Sequence, residues 1–325
     1  MEFKAFKMDG LGNDFVIIDQ RNNRIELSNE QILKICDRSF IGCDQLIIIE
    51  QSPFNFLKEE FDPGIIAEIN YNLGDHKIKP DNIKNIYNHL TRIYAKLKFY
   101  NSDGSSSGAC GNGTRCVAYL LSKEINKNEI TFWIMNSLAA NEIGNPIIPS
   151  KILGNNLVET IIGVPQTNWD AIPISKPLDT KNLGIEIKDK KNFITKGGIG
   201  VNVGNPHVIF FVEDIENFEL EKIGPKIENH KLFPNKCNVT LAKKVTNNHY
   251  KVKVWERGAG LTKACGTAAC ATAVAANLEK LENTRTEIEF DLGKLLISID
   301  ENKNIAMKGP VSEIKEIDIK FNGNI

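Results

Sequence analysis

The sequence predicts strands and helices folded as two related halves, each with a sheet curled around a buried helix. Three observations carry this. Ala109-Cys110-Gly111-Asn112-Gly113-Thr114-Arg115-Cys116 is a near-copy of Ala264-Cys265-Gly266-Thr267-Ala268-Ala269-Cys270. Gly12-Asn13-Asp14-Phe15-Val16-Ile17-Ile18-Asp19 echoes Gly204-Asn205-Pro206-His207-Val208-Ile209-Phe210-Phe211, in each case a Gly-Asn turn followed by a β-branched and aromatic run. Finally, Thr267 to Ala276 is almost all Ala, Thr and Cys, with Val274. A helix with no broad polar face is one surrounded by protein.

The elements follow in order. Ser28 to Asp37 reads as a helix capped by Ser28 or Asn29, with Ile32, Leu33 and Ile35 inside. Leu46 to Ile49 is an apolar strand. Asn13 lies further from Cys110 than Asn205 does from Cys265, so the first half carries about 37 extra residues, placed at about 52–98. Within that insertion Pro80-Asp81 opens a predicted helix toward Leu97, with Ile83, Ile86, Leu90, Ile93 and Leu97 three or four apart. Strands are expected over Ile130–Met135, Leu157–Ile162 and Tyr250–Trp255. The Pro- and Asn-rich stretch Gly163 to Leu178 crosses between the halves, and Thr286–Phe290 and Leu295–Ile299 form a hairpin around Gly293.

The bulk numbers exclude several classes. Forty basic residues against 41 acidic give a net charge of -1, which offers no footprint for nucleic acid. No apolar run approaches a membrane span. Met1-Glu2-Phe3-Lys4 leads into no apolar secretion core, so a reducing cytoplasm is expected and a disulfide framework is not. Of the seven cysteines, Cys36, Cys43, Cys116 and Cys270 read as small buried hydrophobes, and Cys237 is left open. At ~100° per residue, Cys116 and Cys270 point away from Cys110 and Cys265, which argues against zinc; no metal is expected.

Cys110 and Cys265 are different, because each stands where a helix begins. The unpaired N–H groups of Gly111, Asn112, Gly266 and Thr267 suit an anion such as a carboxylate. A thiol at such a place can be lowered from ~8.5 to ~3.5–7.5. Two matched thiols can take a proton from one face of a carbon and return it to the other. That is racemase or epimerase chemistry without a cofactor. The carbanion formed at an amino-acid α-carbon then needs preorganised donors in a dry cleft, worth roughly 2.7–4 kcal/mol each. Glu256 suits an ammonium and Arg257 a second carboxylate, although spacing alone favours surface or turn roles for both. Gly108 and Gly113 have phosphate-loop spacing, but Thr114-Arg115 follows in place of Lys and Ser/Thr.

Together these residues resemble the diaminopimelate epimerase family. The resemblance rests on Lys7 to Phe15, Gly42 to Leu46, Asn101 to Ser105, Cys110 to Cys116, Gly204 to His207, Glu256 to Gly260 and Ala264 to Thr267, in the family's order over most of the chain. It implies an α+β fold of two pseudo-symmetric domains, each a curled mixed, barrel-like sheet around a central helix. Residues 1–162 with 310–325 would form one domain and 163–309 the other, the last strand (Val311 to Phe321) returning to the first. It implies no cofactor, a homodimer, and interconversion of LL- and meso-diaminopimelate in lysine and peptidoglycan precursor synthesis. Cys110 and Cys265 would shuttle the α-proton. Gly111, Asn112, Gly266 and Thr267 would bind the reacting carboxylate, Glu256 would meet the α-ammonium, and His207 and Glu256 would modulate the thiols. Asn13 and Gln45 would line the pocket, while Asn101, Asn205, Asn238 and Arg257 would hold the distal end. The insertion and Ala268, where the family has Gly, depart from the pattern. A proline or hydroxyproline racemase of this architecture and a redox-sensing cysteine-pair protein are the competing readings.

Overall fold

A computed structural model describes residues 1–55, 90–108, 110–134, 147–154, 156–278 and 284–321. The first half runs β1 (Glu2–Asp9), β2 (Asp14–Asp19), α1 (Asn29–Cys36), β3 (Gln45–Gln51), β4 (Ile93–Asn101), β5 (Ser106–Ser107), α2 (Gly111–Ile125), β6 (Glu129–Ile134), β7 (Ile147–Ile152) and β8 (Leu157–Gly163). A small hairpin follows, β9 (Ile185–Lys188) and β10 (Ile194–Gly197). The second half repeats the order: β11 (Ile199–Asn202), β12 (Pro206–Phe211), α3 (Leu220–Glu228), β13 (Asn238–Thr246), β14 (His249–Glu256), β15 (Gly260–Thr262), α4 (Gly266–Ala276), β16 (Thr284–Phe290), β17 (Gly293–Ile299) and β18 (Ile305–Pro310). Last comes β19 (Lys315–Lys320), which pairs antiparallel with β1.

Strand pairing repeats with the order. β1–β2 is antiparallel, β2–β3 parallel, β3–β4 antiparallel, β4–β6 parallel, and β6–β7–β8 antiparallel. The series β11, β12, β13, β14, β16, β17, β18 has the same senses in the same sequence. β8 and β18 then pair antiparallel and join both series into one sheet. The α+β reading therefore holds, with both faces of each curl covered. The inner face of the first wraps α2 through Phe15, Ile47, Leu97, Phe99 and Phe132; the inner face of the second wraps α4 through Ile209, Val252, Val254, Ile288 and Ile297. The outer faces carry α1 and α3. Leu11, from the first half, is buried in the core around α4, and a side chain at Gly12 would strike Leu292 in the β16–β17 turn.

Local chemistry explains the elements. Ser28 Oγ accepts from the Gln31 N–H while Gln31 Oε1 accepts from the Ser28 N–H, a capping box that starts α1. Ile32 and Ile35 are buried as expected, but Leu33 lies on the exposed side. In α4 the Ala, Thr and Cys side chains are buried from Ala268 through Ala275, because only small residues let the strands close around it. The predicted Pro80–Leu97 helix is corrected at its C-terminal end. Residues 80–89 lie outside the described residues, but Ile93–Asn101 is a strand, with Ile93, Ala95, Leu97 and Phe99 buried in alternation. The apolar residues three and four apart ran into a period of two, and Lys96 and Lys98 on the other face pair with Glu50.

Candidate active site

The repeat places matched residues at matched ends of strands and helices. Asn13 precedes β2 as Asn205 precedes β12; Gln45 begins β3 as Asn238 begins β13; Asn101 ends β4 as Glu256 ends β14. Cys110 is the N-cap of α2 and Cys265 the N-cap of α4, both in extended backbone, so the sulfurs leave the chain where the helical N–H groups begin.

The two helix starts lie against each other on β18. A side chain at Gly111 would meet Met307 Cε at 2.2 Å. One at Gly266 would meet Met307 Sδ at 3.0 Å and Asn112 Oδ1 at 3.1 Å. Both glycines are needed for this approach. Asn112 is buried with Oδ1 unpartnered, between the two starts.

Around Cys110, Asn13 Oδ1 accepts from the thiol at 3.7 Å, and Asn13 Nδ2 donates to Asp44 Oδ2 at 3.1 Å. Arg38 in turn donates to Asp44 at 2.7 Å and to Asp14 at 2.6 Å, which fixes that carboxylate pair. Gln45 and Asn101 face each other in the β3–β4 register; Gln45 Nε2 donates to Asn101 Oδ1 at 3.0 Å and Ser107 Oγ at 3.1 Å, leaving Oε1 buried and unpartnered. Around Cys265, the thiol donates to Glu256 Oε2 at 3.1 Å and lies 3.3 Å from Thr267 Oγ1. Asn238 Oδ1 accepts from the Arg257 N–H at 2.9 Å, and Asn238 Nδ2 donates to Pro206 O at 3.0 Å. Arg257 Nη1 donates to Asn235 O at 3.1 Å.

His207 was expected beside the thiols. Its Nε2 lies 2.8 Å from Asn205 Oδ1 and 3.5 Å from Asn238 Nδ2, and Arg257 is a charge that faces it. The ring is fully buried, and burial lowers it to about 3, so it is neutral at ordinary pH. The structure gathers it with Asn205, Asn238 and Arg257.

The thiols also differ from expectation. Burial pushes Cys110 up to about 11 and Cys265 well above its ordinary value. The N–H groups of Asn112 and Gly113 pull Cys110 down, but less than desolvation pushes. The Glu256 carboxylate raises both thiols, and its own carboxyl is raised by burial. Arg115 is among the main influences on Cys110, which it lowers, whereas the main influences on Cys265 besides burial are Glu256 and the start of α4.

Sequence reasoning passed over Asp44, Ser107, Met307 and Arg115. Asp44 and Ser107 hold Asn13 and Gln45 through strand register, which spacing does not reveal. Arg115 had a signal: an ion inside an apolar helix, at the step from Cys110 that Cys270 keeps from Cys265. Cys36 and Cys43 are buried as expected, their sulfurs 3.5 Å apart under the loop leading to Asp44. No cluster of His, Cys, Asp and Glu fit for a metal occurs among the described residues.

Solved structures with this architecture define its class. A PhzF-family phenazine biosynthesis protein from Bacillus anthracis matches 99% of this chain and 100% of its own, with a TM-score of 0.60 at 14% identity. A hydroxyproline epimerase from Agrobacterium vitis matches 98% and 93%, with a TM-score of 0.59 at 8% identity. The chain thus has the two-lobed fold of PhzF-type proteins and amino-acid epimerases. A family model for diaminopimelate epimerase matches residues 199–314. The diaminopimelate epimerase of Pelagibacter ubique is 58% identical over 99% of this chain and 100% of its own length, and that of Acidiphilium cryptum 35% identical over 95% and 94%. The chain belongs to the diaminopimelate epimerase family.

Proposed function

We propose that this protein interconverts LL- and meso-diaminopimelate by passing the α-proton between Cys110 and Cys265. The observation that carries the reading is the meeting of two cysteine-capped helix starts on Met307, with one carboxylate, Glu256, acting on both sulfurs. One sulfur, as thiolate, takes the α-proton: the C–H bond breaks, an S–H bond forms, and the electron pair moves onto the α-carboxylate. The opposite thiol gives its proton to the other face and becomes the thiolate. No atom is gained or lost.

The N–H groups of Gly111, Asn112, Gly266 and Thr267 receive the carboxylate as its charge grows. Glu256 takes the α-ammonium, and that contact draws its charge away from the sulfurs. Burial favours the protonated form of both thiols, so each is suited to give a proton when it faces the carbanion. Asn13 and Gln45 line the pocket; Gln45 Oε1 is an acceptor still to be filled. Asn101, Asn205, Asn238 and Arg257, of which Asn205 and Asn238 lie against the neutral His207 ring, hold the distal amino-carboxylate end and select diaminopimelate over a simple amino acid. The repeated strand pairing supports a boundary near residue 163, with 310–325 returning to the first half. No helix among the described residues is long and apolar enough to cross a membrane. A cytoplasmic homodimer is the state we expect in the cell.

The test is incubation of LL-diaminopimelate with the enzyme in heavy water without added cofactor. Deuterium should enter the α-carbon of the meso product, and Cys110→Ala and Cys265→Ala should each lower turnover by ~10²–10⁴-fold. Proline should exchange no deuterium. Unlabelled diaminopimelate after long incubation would defeat the reading.

A further inference from the structure

Helix α2 is buried from Gly111 through Ser122, and it carries one ion inside, Arg115. Arg115 is fully buried, the only lysine or arginine so placed among the described residues. Its Nε, Nη1 and Nη2 have no hydrogen-bond partner among the described residues. Room for it comes from Gly309: a side chain there would lie 3.1 Å from Arg115 Cζ and Nη2. Gly309 stands two residues beyond Met307, on the strand that supports both helix starts. The groups within its electrostatic reach are Cys110, Cys116 and Cys270, with Asp9 beyond them. Burial draws the guanidinium below its ordinary value, the mark of a charge held without compensation.

A buried unpaired cation is a cost that a fold ordinarily removes. Here the same region also gathers two helix N-termini, each positive. The empty site is thus built with excess positive charge and lacks its anion. The reaction carries one such negative charge through the site, first on a thiolate, then on the carboxylate once the α-proton has passed to that sulfur, and finally on the opposite sulfur.

We propose that Arg115 is a positioning residue of this reaction, a fixed cation behind the paired helix starts that stabilises the Cys110 thiolate and the doubly charged carboxylate without touching substrate. The inference rests on the proton-transfer reading above. It also accounts for an asymmetry, since the matched position in α4 is Cys270, a neutral thiol. The other groups acting on Cys110 are the N–H dipoles of Asn112 and Gly113 and the Asn13 amide from the first half, and the Glu256 carboxylate from the second.

The full-length variants Arg115→Met and Arg115→Lys separate a charge effect from a packing effect. Three quantities are read: melting temperature, kcat and KM for diaminopimelate, and the rate of Cys110 alkylation by iodoacetamide against pH, followed by peptide mass spectrometry. Arg115→Met should melt no lower than wild type, because an unpaired buried charge is removed. Its kcat should fall ~10²-fold with KM changed less than about threefold, a loss confined to the transition state. The Cys110 alkylation midpoint should rise by about one pH unit or more. Arg115→Lys should restore at least about a tenth of wild-type kcat. An unchanged alkylation midpoint with unchanged kcat would overturn the proposal. So would an Arg115→Met chain that fails to fold or melts far lower, since that marks a packing role. The alkylation profile needs no substrate, so it reads the field of Arg115 even if diaminopimelate proves to be the wrong substrate.

Discussion

The two halves of the molecule share their strand order, pairing senses and cysteine-capped helices, yet they present different charges to the place where they meet. Asn101 in the first half corresponds to Glu256 in the second, and Arg115 corresponds to Cys270. The first half gives its thiol the Asn13 amide at 3.7 Å and a buried cation in α2; the second gives its thiol a carboxylate at 3.1 Å. Duplication supplies two cysteine-capped helix starts, which the two-base reaction proposed above needs. Divergence at two positions gives the two thiols unequal surroundings. Identical halves would leave nothing to decide which sulfur starts as base, or to orient an amino acid whose two groups carry opposite charge.

Making the second half resemble the first is the largest expected perturbation. Glu256→Gln removes the acceptor of the Cys265 proton and the charge that raises both thiols. Catalytic efficiency should fall ~10²-fold through weaker ammonium binding and an altered proton inventory. Meanwhile Cys265 should alkylate faster at pH 8, because a neutral neighbour no longer opposes the thiolate. Initial rates together with site-resolved labelling check both effects. Slower or unaltered labelling of Cys265 would mean that Glu256 does not set the proton affinity of that sulfur.

Much of this comparison was legible in the chain. The Gly-Asn turns and the cysteine-led repeats gave the duplication, because both are local patterns whose spacing survives folding. The capping box at Ser28 and the alternation in Tyr250–Trp255 were equally local. What escaped depended on neighbours distant in sequence. Ile93 and Leu97 fit a helical spacing and became a strand because β3 and β6 were there to pair with it. The neighbours of His207 are likewise set by the parallel β12–β13 register, which puts it opposite Asn238. The lowered thiol pKa expected at a helix start was reversed by desolvation, a property of the closed fold. The helix start supplies the dipoles, and the burial that outweighs them comes from the packing around each cysteine.

A packing comparison is smaller in size. Gly113 and Ala268 hold matched positions in α2 and α4, and the methyl that fits one does not fit the other. At Gly113 it would meet Ile47 Cδ1 at 2.7 Å, Phe99 Cε1 at 3.0 Å and Phe15 Cε1 at 3.1 Å. Ala268 is fully buried among the smaller side chains around α4. Gly113→Ala should therefore cost ~1–3 kcal/mol in denaturant unfolding. Adding Ile47→Val should recover part of it, with a favourable coupling of about 1 kcal/mol. Ala268→Gly should cost ~1 kcal/mol from helix propensity alone. Additive behaviour of Gly113→Ala and Ile47→Val would show that α2 shifts within its curl instead of pressing on β3.

The smallest effect concerns the pair Phe15 and His207, which follow their Gly-Asn turns at matched positions. Phe15 is indifferent to pH. His207 is buried neutral and lowered to about 3, against ~6.5 for an unfolded histidine. Its folded value is depressed, so the unfolded chain binds the proton more readily. Stability from this group is complete above ~6.5 and declines as pH falls toward 3. Between pH 7 and pH 5.5 that amounts to about 1 kcal/mol of unfolding free energy, the lysine- and arginine-rich surface being equally charged at both values. His207→Phe, which copies the first half, should flatten the decline over that interval whatever it does to absolute stability. The slope isolates the proton from the lost contacts with Asn205 and Asn238. A slope that persists undiminished in the variant would place the acid sensitivity elsewhere, with the Asp14–Asp44–Arg38 cluster the next group to examine.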